Sequence, residues 1–109
     1  MPFQVAYRTE DLWEGEMVGL VINREKILLA RVNGQLFAYQ DKCSHLSVEL
    51  SKGVLQGTVL TCSAHHWQYD ILTGKGINPE NICLPRFPVK EEGGTISIDL
   101  APHPKESIL

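Results

Sequence analysis

The sequence lacks the features that mark membrane-spanning, secreted and nucleic-acid-binding proteins. No stretch approaches the roughly 18 consecutive apolar residues of a membrane helix, so we expect no membrane insertion. The first residues have neither the basic start nor the apolar run of a signal peptide, which predicts a cytoplasmic protein. The 10 Lys and Arg are outnumbered by 13 Asp and Glu, and a net charge of −3 gives no electrostatic reason to bind nucleic acid.

Cysteine is also scarce, and the chain has three: Cys43, Cys62 and Cys83. An odd and small number of thiols in a cytoplasmic protein argues against a disulfide framework and favours metal or thiol chemistry. The length of 109 residues suits one domain, residues 1–109, with a single modest core.

Short strand signals, by contrast, are frequent. Runs of β-branched, aromatic and aliphatic residues predict strands at residues 3–6, 17–22, 27–32, 35–39, 59–61, 67–71, 87–90 and 95–100. Asn33 and Gly34 lie between two of these runs and form the strongest two-residue signal for a hairpin. Thr9 is expected to cap a single helical turn, and no long helix is predicted. This pattern predicts an all-β fold, an antiparallel β-sandwich or barrel.

The strand signals weaken between residue 41 and about residue 88, where glycine and proline become frequent. We expect this segment to be a loop-rich subdomain inserted into the β scaffold. All three cysteines and three of the four histidines lie inside it.

Two short motifs in this segment each combine one thiol with one imidazole. A Cys-Ser-His motif beginning at Cys43 is followed, after sixteen residues, by a Cys-Ser-Ala-His motif beginning at Cys62. The candidate ligands are therefore Cys43, His45, Cys62 and His65. A zinc finger usually has two Cys at one end and two His at the other. Equal division between two loops favours a two-iron cluster, with both thiolates on one iron and both imidazoles on the other. A mononuclear zinc site remains the alternative from these residues alone.

With these motifs, the W-Q-Y-D and T-G segments and the proline loop L-P-R-F-P-V, the chain resembles the Rieske ferredoxins over nearly its whole length. The resemblance implies the Rieske fold, one [2Fe–2S] cluster on the four candidate ligands, and one-electron transfer instead of catalysis. D-L-W-E-G-E-M near the start and G-K-G-I-N-P after the second motif are similar, more narrowly, to ferredoxins of bacterial toluene and related aromatic monooxygenases.

The narrower resemblance implies a protein that carries electrons from an NADH-dependent flavin reductase to a di-iron hydroxylase. We expect it to be a monomer. The residues expected around the cluster or at the docking tip are Leu46, His66, Trp67, Tyr69 and Pro85. The alternatives are the ferredoxin of an aromatic-ring dioxygenase, the small Rieske subunit of a nitrite reductase-type complex, and a zinc-binding structural module.

Four positions bear on the redox potential that the resemblance implies. Membrane-complex Rieske proteins have a further cysteine in each ligand loop, where this chain has Val48 and Ala64, so that disulfide cannot form. They also have a serine hydroxyl two residues after the second His ligand, where this chain has Trp67. Tyr69 keeps the position whose hydroxyl can reach a ligand sulfur. Fewer hydrogen bonds to cluster sulfur predict a potential in the lower part of the Rieske range.

The remaining candidate residues receive structural interpretations. Cys83 has no matching His and is expected to be a buried or half-buried free thiol. Trp13 is expected to pack in the scaffold, His66 to be exposed near the tip, and His103 to be solvated in the proline-rich tail.

Overall fold

A computed structural model of the protein describes residues 3–43, 48–64 and 66–100. In these residues the regular structure is β-strand, with two single turns of 3₁₀ helix at Thr9–Asp11 and Leu50–Lys52. None of the helical segments described is long and apolar enough to cross a membrane. The strands are, in chain order, β1 (Phe3–Arg8), β2 (Met17–Ile22), β3 (Glu25–Val32), β4 (Gln35–Gln40), β5 (Val54–Gln56), β6 (Val59–Thr61), β7 (Gln68–Asp70), β8 (Gly76–Asn78), β9 (Arg86–Phe87), β10 (Val89–Glu92) and β11 (Thr95–Asp99).

These strands form three antiparallel sheets, which confirms the all-β prediction. The first sheet has the order β1-β11-β10, the middle sheet β2-β3-β4-β9, and the third sheet β5-β6-β7-β8. The third sheet lies wholly inside the segment for which loops were expected, so that segment is more regular than the sequence indicated. Two of its strands, β6 and β7, fall on predicted runs. The other two, β5 and β8, are three residues long, adjoin or contain glycine, and were not predicted.

The middle sheet is buried on both of its faces. Residues 27–30 of β3 have no exposed surface, whereas a strand with one face in solvent would alternate. The odd-numbered residues of this run pack in a core cluster that includes β11 of the first sheet. The even-numbered residues pack in a second cluster that includes β6 and β7 of the third sheet, together with Cys43 and Cys62. One face of the middle sheet therefore packs in the same core cluster as the two candidate cysteine ligands.

The hairpin predicted at Asn33 and Gly34 is confirmed. β3 and β4 pair antiparallel up to Val32 and Gln35, and the two residues between them have φ of 55° and 73°. Positive φ at both positions matches the two-residue turns that suit the twist of a hairpin. The Glu14 carboxylate accepts hydrogen bonds from the Asn33 N–H at 2.6 Å and the Gly34 N–H at 2.8 Å.

The expectations for the strand at residues 87–90 and for the cap at Thr9 are wrong. The single strand expected at residues 87–90 is divided at Pro88, because proline has no N–H for a ladder. β9 pairs with β4 in the middle sheet, and β10 pairs with β11 in the first. Thr9 is the first residue of its 3₁₀ turn and does not cap it; Arg8 holds the cap position without a side-chain bond.

Trp13 does not pack in the scaffold, and its side chain is 71% exposed. It lies in the turn before β2, where its backbone N–H donates to the Glu16 carboxylate at 2.8 Å. The preceding residue, Leu12, is 3% exposed and takes the place in the core that we expected for the indole.

Candidate metal centre

The first ligand loop leaves the end of β4. Cys43 is buried, and its N–H donates to the Val48 carbonyl at 2.9 Å, which closes the base of the loop. The predicted ligand His45 and the predicted docking residue Leu46 fall outside the described residues. Val48 packs against the core cluster that contains Cys43.

The second ligand loop joins β6 to β7. Cys62 is buried directly after β6, and its N–H donates to the Trp67 carbonyl at 2.7 Å. The Ala64 N–H lies 3.4 Å from Cys62 Sγ and donates to it. His66 is exposed, as expected, with a positive φ of 55°. The predicted ligand His65 falls outside the described residues.

The two ligand loops bring the cysteine side chains together in an apolar surrounding. Burial raises the pKa of the Cys62 thiol, the Ala64 N–H lowers it, and the adjacent Cys43 thiol raises it again by hydrogen bonding and charge. Both cysteines are free of disulfides. Two adjacent buried thiolates need a positive charge to offset burial and repulsion, and a metal ion supplies one.

This donor set fits one end of a Rieske cluster, in which a single iron takes two cysteine sulfurs. The part of the chain that the structure describes shows these two donors, and no group of three metal-ligating side chains occurs within it.

Tyr69 supplies a polar contact to this donor pair. Its side chain is fully buried on β7, and its hydroxyl oxygen lies 3.4 Å from Cys43 Sγ. Once the sulfur is a thiolate it has no proton to give, so the hydroxyl must be the donor. A hydroxyl donor at a ligand sulfur stabilises negative charge on that sulfur.

Two other predicted surrounding residues, Trp67 and Pro85, are held by the core cluster and by β4 respectively. Trp67 is partly buried and packs against the cluster that contains both cysteines. The Pro85 carbonyl accepts a hydrogen bond from the Gln40 N–H at 3.0 Å, which ties the proline loop to the end of β4. The proline loop is thus hydrogen-bonded to the strand end from which the first ligand loop begins.

Cys83 differs from its sequence expectation, since it is exposed instead of buried or half-buried. The chain here forms a single β-bridge between Lys75 and Cys83, and the next residue, Leu84, points into the core. The buried place in the proline loop is therefore taken by leucine.

The sequence analysis did not single out two buried polar side chains beneath the centre. The Tyr39 hydroxyl donates to the Ile71 carbonyl at 2.6 Å, and burial raises the pKa of Tyr39 to about 12. Asp41, 3% exposed, accepts two hydrogen bonds from Ser51. The available signal was the position of Asp41, a carboxyl group directly after β4 and two residues before a candidate ligand.

Comparison with known proteins gives the class. The sequence model of the Rieske [2Fe-2S] domain family matches residues 2–88. The chain belongs to this family. Membership brings one [2Fe–2S] cluster of the Rieske type and one-electron chemistry.

Individual relatives place the chain among the ferredoxins. It is 45% identical over 98 residues to the ferredoxin component of the alkene monooxygenase system of Xanthobacter autotrophicus, covering 89% of this chain and 80% of the relative. It is 40% identical over 91 residues to the ferredoxin component of biphenyl 2,3-dioxygenase of Rhodococcus jostii, covering 83% and 85%.

Solved structures agree with this placement. The ferredoxin in a complex of reduced oxygenase and oxidised ferredoxin of carbazole 1,9a-dioxygenase superimposes with a TM-score of 0.81 at 25% identity, covering 90% of this chain and 93% of that one. Sphingomonas yanoikuyae B1 ferredoxin gives 0.80 at 26% identity, covering 88% and 96%. The predicted resemblance to Rieske ferredoxins is confirmed, and the chain is an electron carrier of that kind, not an enzyme.

Proposed function

We propose that the chain is the ferredoxin component of a multicomponent hydrocarbon monooxygenase. It passes single electrons from an NADH-dependent flavin reductase to a di-iron hydroxylase. The observation that carries this proposal is the pair of adjacent buried thiols, Cys43 and Cys62, in a chain 45% identical to a monooxygenase ferredoxin.

The four candidate residues divide between two irons. Cys43 and Cys62 would hold one iron, and His45 and His65 would hold the other. When bound, such a cluster supplies reversible one-electron redox chemistry at about −150 to +300 mV. Because two neutral imidazoles replace two thiolates, the oxidised site has no net charge, and reduction gives it a single negative charge.

The chain's own residues favour acceptance of that charge. The Tyr69 hydroxyl and the Ala64 N–H both donate to the cysteine sulfurs and stabilise negative charge there. The apolar cluster around the thiols excludes water, so each donor acts in a low dielectric where its effect is larger. Trp67 covers the core beside the second loop in place of a hydroxyl donor.

Docking is proposed at the tip formed by the two ligand loops. The residues concerned are His45, Leu46, His65, His66 and Trp67. A ferredoxin must leave its partner after each transfer, which suits a small and short-lived interface. We further propose that the carrier is a cytoplasmic monomer.

An aromatic-ring dioxygenase is the second candidate for the acceptor. The relative at 40% identity is named a biphenyl dioxygenase ferredoxin component, and a further one, at 31%, belongs to a naphthalene 1,2-dioxygenase system of Pseudomonas putida. The scaffold and the thiol pair serve either acceptor. Only the surface of the tip would distinguish them.

Reconstitution tests the proposal and separates the two acceptors. The purified protein is combined with the flavin reductase and hydroxylase encoded beside it, and hydroxylated product is measured. A Cys62→Ser chain, which lacks one proposed ligand, is the matched control. We expect product when the native chain is present and none when the Cys62→Ser chain replaces it. Full product without the protein, or efficient transfer to a ring dioxygenase but not to the hydroxylase, would contradict the proposed acceptor.

A further inference from the structure

The 3₁₀ turn Leu50–Lys52 stands between the two ligand loops and is fastened to the first of them. The Asp41 carboxyl group accepts the Ser51 N–H at 2.8 Å and the Ser51 hydroxyl at 2.6 Å. Asp41 lies two residues before Cys43, and its own N–H donates to the Lys26 carbonyl of β3 at 2.9 Å. The turn is therefore held to the chain that enters the first ligand loop, and that chain is held to the middle sheet.

The same turn meets the second ligand loop at Gly53. A Cβ atom at Gly53 would stand 2.0 Å from the Thr61 carbonyl oxygen, so backbone lies directly against backbone there. Thr61 immediately precedes Cys62. Leu50, at the other end of the turn, is fully buried in the core cluster that contains both cysteines. The turn thus contacts the approaches to both cysteines and is itself anchored.

Edge strand β2 packs against the Asp41–Ser51 pair through Gly19. A Cβ atom at Gly19 would stand 2.4 Å from Ser51 Oγ and 3.0 Å from Asp41 Oδ2. Gly19 does not have the positive φ that favours glycine, so its backbone conformation does not require this residue. The close approach to the Asp41–Ser51 pair does require it.

We propose that Asp41, Ser51 and Gly53 form a brace that sets the separation of Cys43 and Cys62 before the cluster binds. They are positioning residues, and Gly19 is the residue that leaves room for them. Without the brace, the approach to the first loop would have to be ordered as the cluster binds, at a cost in conformational entropy. The inference goes beyond electron transfer and rests on the proposed roles of Cys43 and Cys62 as ligands.

The test compares substitutions in the brace with a matched one elsewhere. Asp41→Ala removes both hydrogen bonds, and Ser51→Ala removes the hydroxyl bond alone. Asp41→Asn keeps an acceptor for the Ser51 N–H, and its amide can donate to the hydroxyl oxygen. Glu14→Ala is the control, because Glu14 also accepts two backbone N–H groups, in the hairpin turn at the far end of β3.

Each variant is loaded with iron and sulfide, and three properties are measured: cluster loss to a chelator, the visible circular dichroism of the cluster, and the unfolding midpoint. We expect Asp41→Ala to lose the cluster at least about tenfold faster, the factor that corresponds to about 1.4 kcal/mol, with an altered dichroism spectrum. Ser51→Ala should show a smaller change of the same kind, and Asp41→Asn should resemble the native chain. Glu14→Ala should lower the unfolding midpoint without either cluster effect.

Gly19→Ala offers an independent approach, since it disturbs the brace without altering any of its residues. It should reproduce the dichroism change of the Asp41 variant. If the Asp41, Ser51 and Gly19 variants all match Glu14→Ala, the brace has only an ordinary structural role and the inference fails. A native chain that binds no cluster would instead overturn the ligand assignment, so the two failures are distinguishable.

Discussion

Tyr69→Phe is the substitution whose effect on the redox potential follows most directly from the structure. The change removes a single hydroxyl, 3.4 Å from Cys43 Sγ, and leaves the buried ring in place. The reduced centre carries one more negative charge than the oxidised centre, so it benefits more from this donor. Removing the hydroxyl should therefore lower the potential.

The size of the shift follows from the strength of one hydrogen bond. A net contribution of about 0.5–1.5 kcal/mol is typical for an intramolecular bond. For a one-electron couple, about 59 mV corresponds to about 1.4 kcal/mol. If most of the bond energy distinguishes the two oxidation states, the potential should fall by about 20–60 mV.

A spectroelectrochemical titration at neutral pH measures this shift, and the chain offers a close control. Tyr39→Phe removes another buried hydroxyl, which donates to the Ile71 carbonyl and not to sulfur. The Tyr39 variant should keep the native potential. An unchanged or raised potential in the Tyr69 variant, or equal shifts in both, would refute the reasoning.

Three further predictions concern the ligands, the potential and docking. Cys62→Ser should abolish the visible spectrum while Cys83→Ser keeps it, because Cys83 is exposed and separate from the thiol pair; loss of colour in the Cys83 variant would show that the ligand set is wrong. The native midpoint potential at neutral pH should be near or below about 0 mV and should fall at alkaline pH. The oxidised iron makes bound imidazoles more acidic, so reduction at high pH takes up a proton; a potential near about +300 mV, or one independent of pH, would count against this. Replacing Leu46 or Trp67 with Asp should slow transfer to the hydroxylase more than replacing His103, and transfer should slow as salt rises; equal rates in stopped-flow mixing would remove the proposed docking tip.

The parts of the fold that the sequence predicted are those governed by local chemistry. β2 and β6 have the predicted bounds, because both are rich in aliphatic and β-branched residues and Gly19 alone interrupts β2. The hairpin at Asn33 and Gly34 was predictable since both residues tolerate positive φ.

The features that the sequence did not predict depend on contacts between elements more than on local residue preference. β5 and β8 are three-residue strands whose pairing with β6 and β7 outweighs weak local preference. The division at Pro88 arises because the residues before the proline pair with β4 in the middle sheet and those after it pair with β11 in the first sheet. The burial predicted for Trp13 was wrong because the sequence does not show which of the two neighbouring apolar residues, Leu12 or Trp13, faces the core.

The candidate centre shows the same contrast. Residue type and spacing singled out the two thiols as candidates, and the structure brings Cys43 and Cys62 together from the loops that follow β4 and β6. The hydrogen bonds between Asp41 and Ser51 join residues ten positions apart, with no repeating pattern to reveal them. Metal ligands are recognisable by residue type, whereas the groups that hold them in place are recognisable only from contacts.

Counting electrons tests the central claim most directly. A coulometric titration of purified protein, with iron and acid-labile sulfide assayed on the same sample, gives the electrons accepted per chain. The account predicts one electron per chain, with about two irons and two sulfides. One stoichiometric zinc with no electron uptake and no visible absorbance, in protein produced with ample iron, would contradict it.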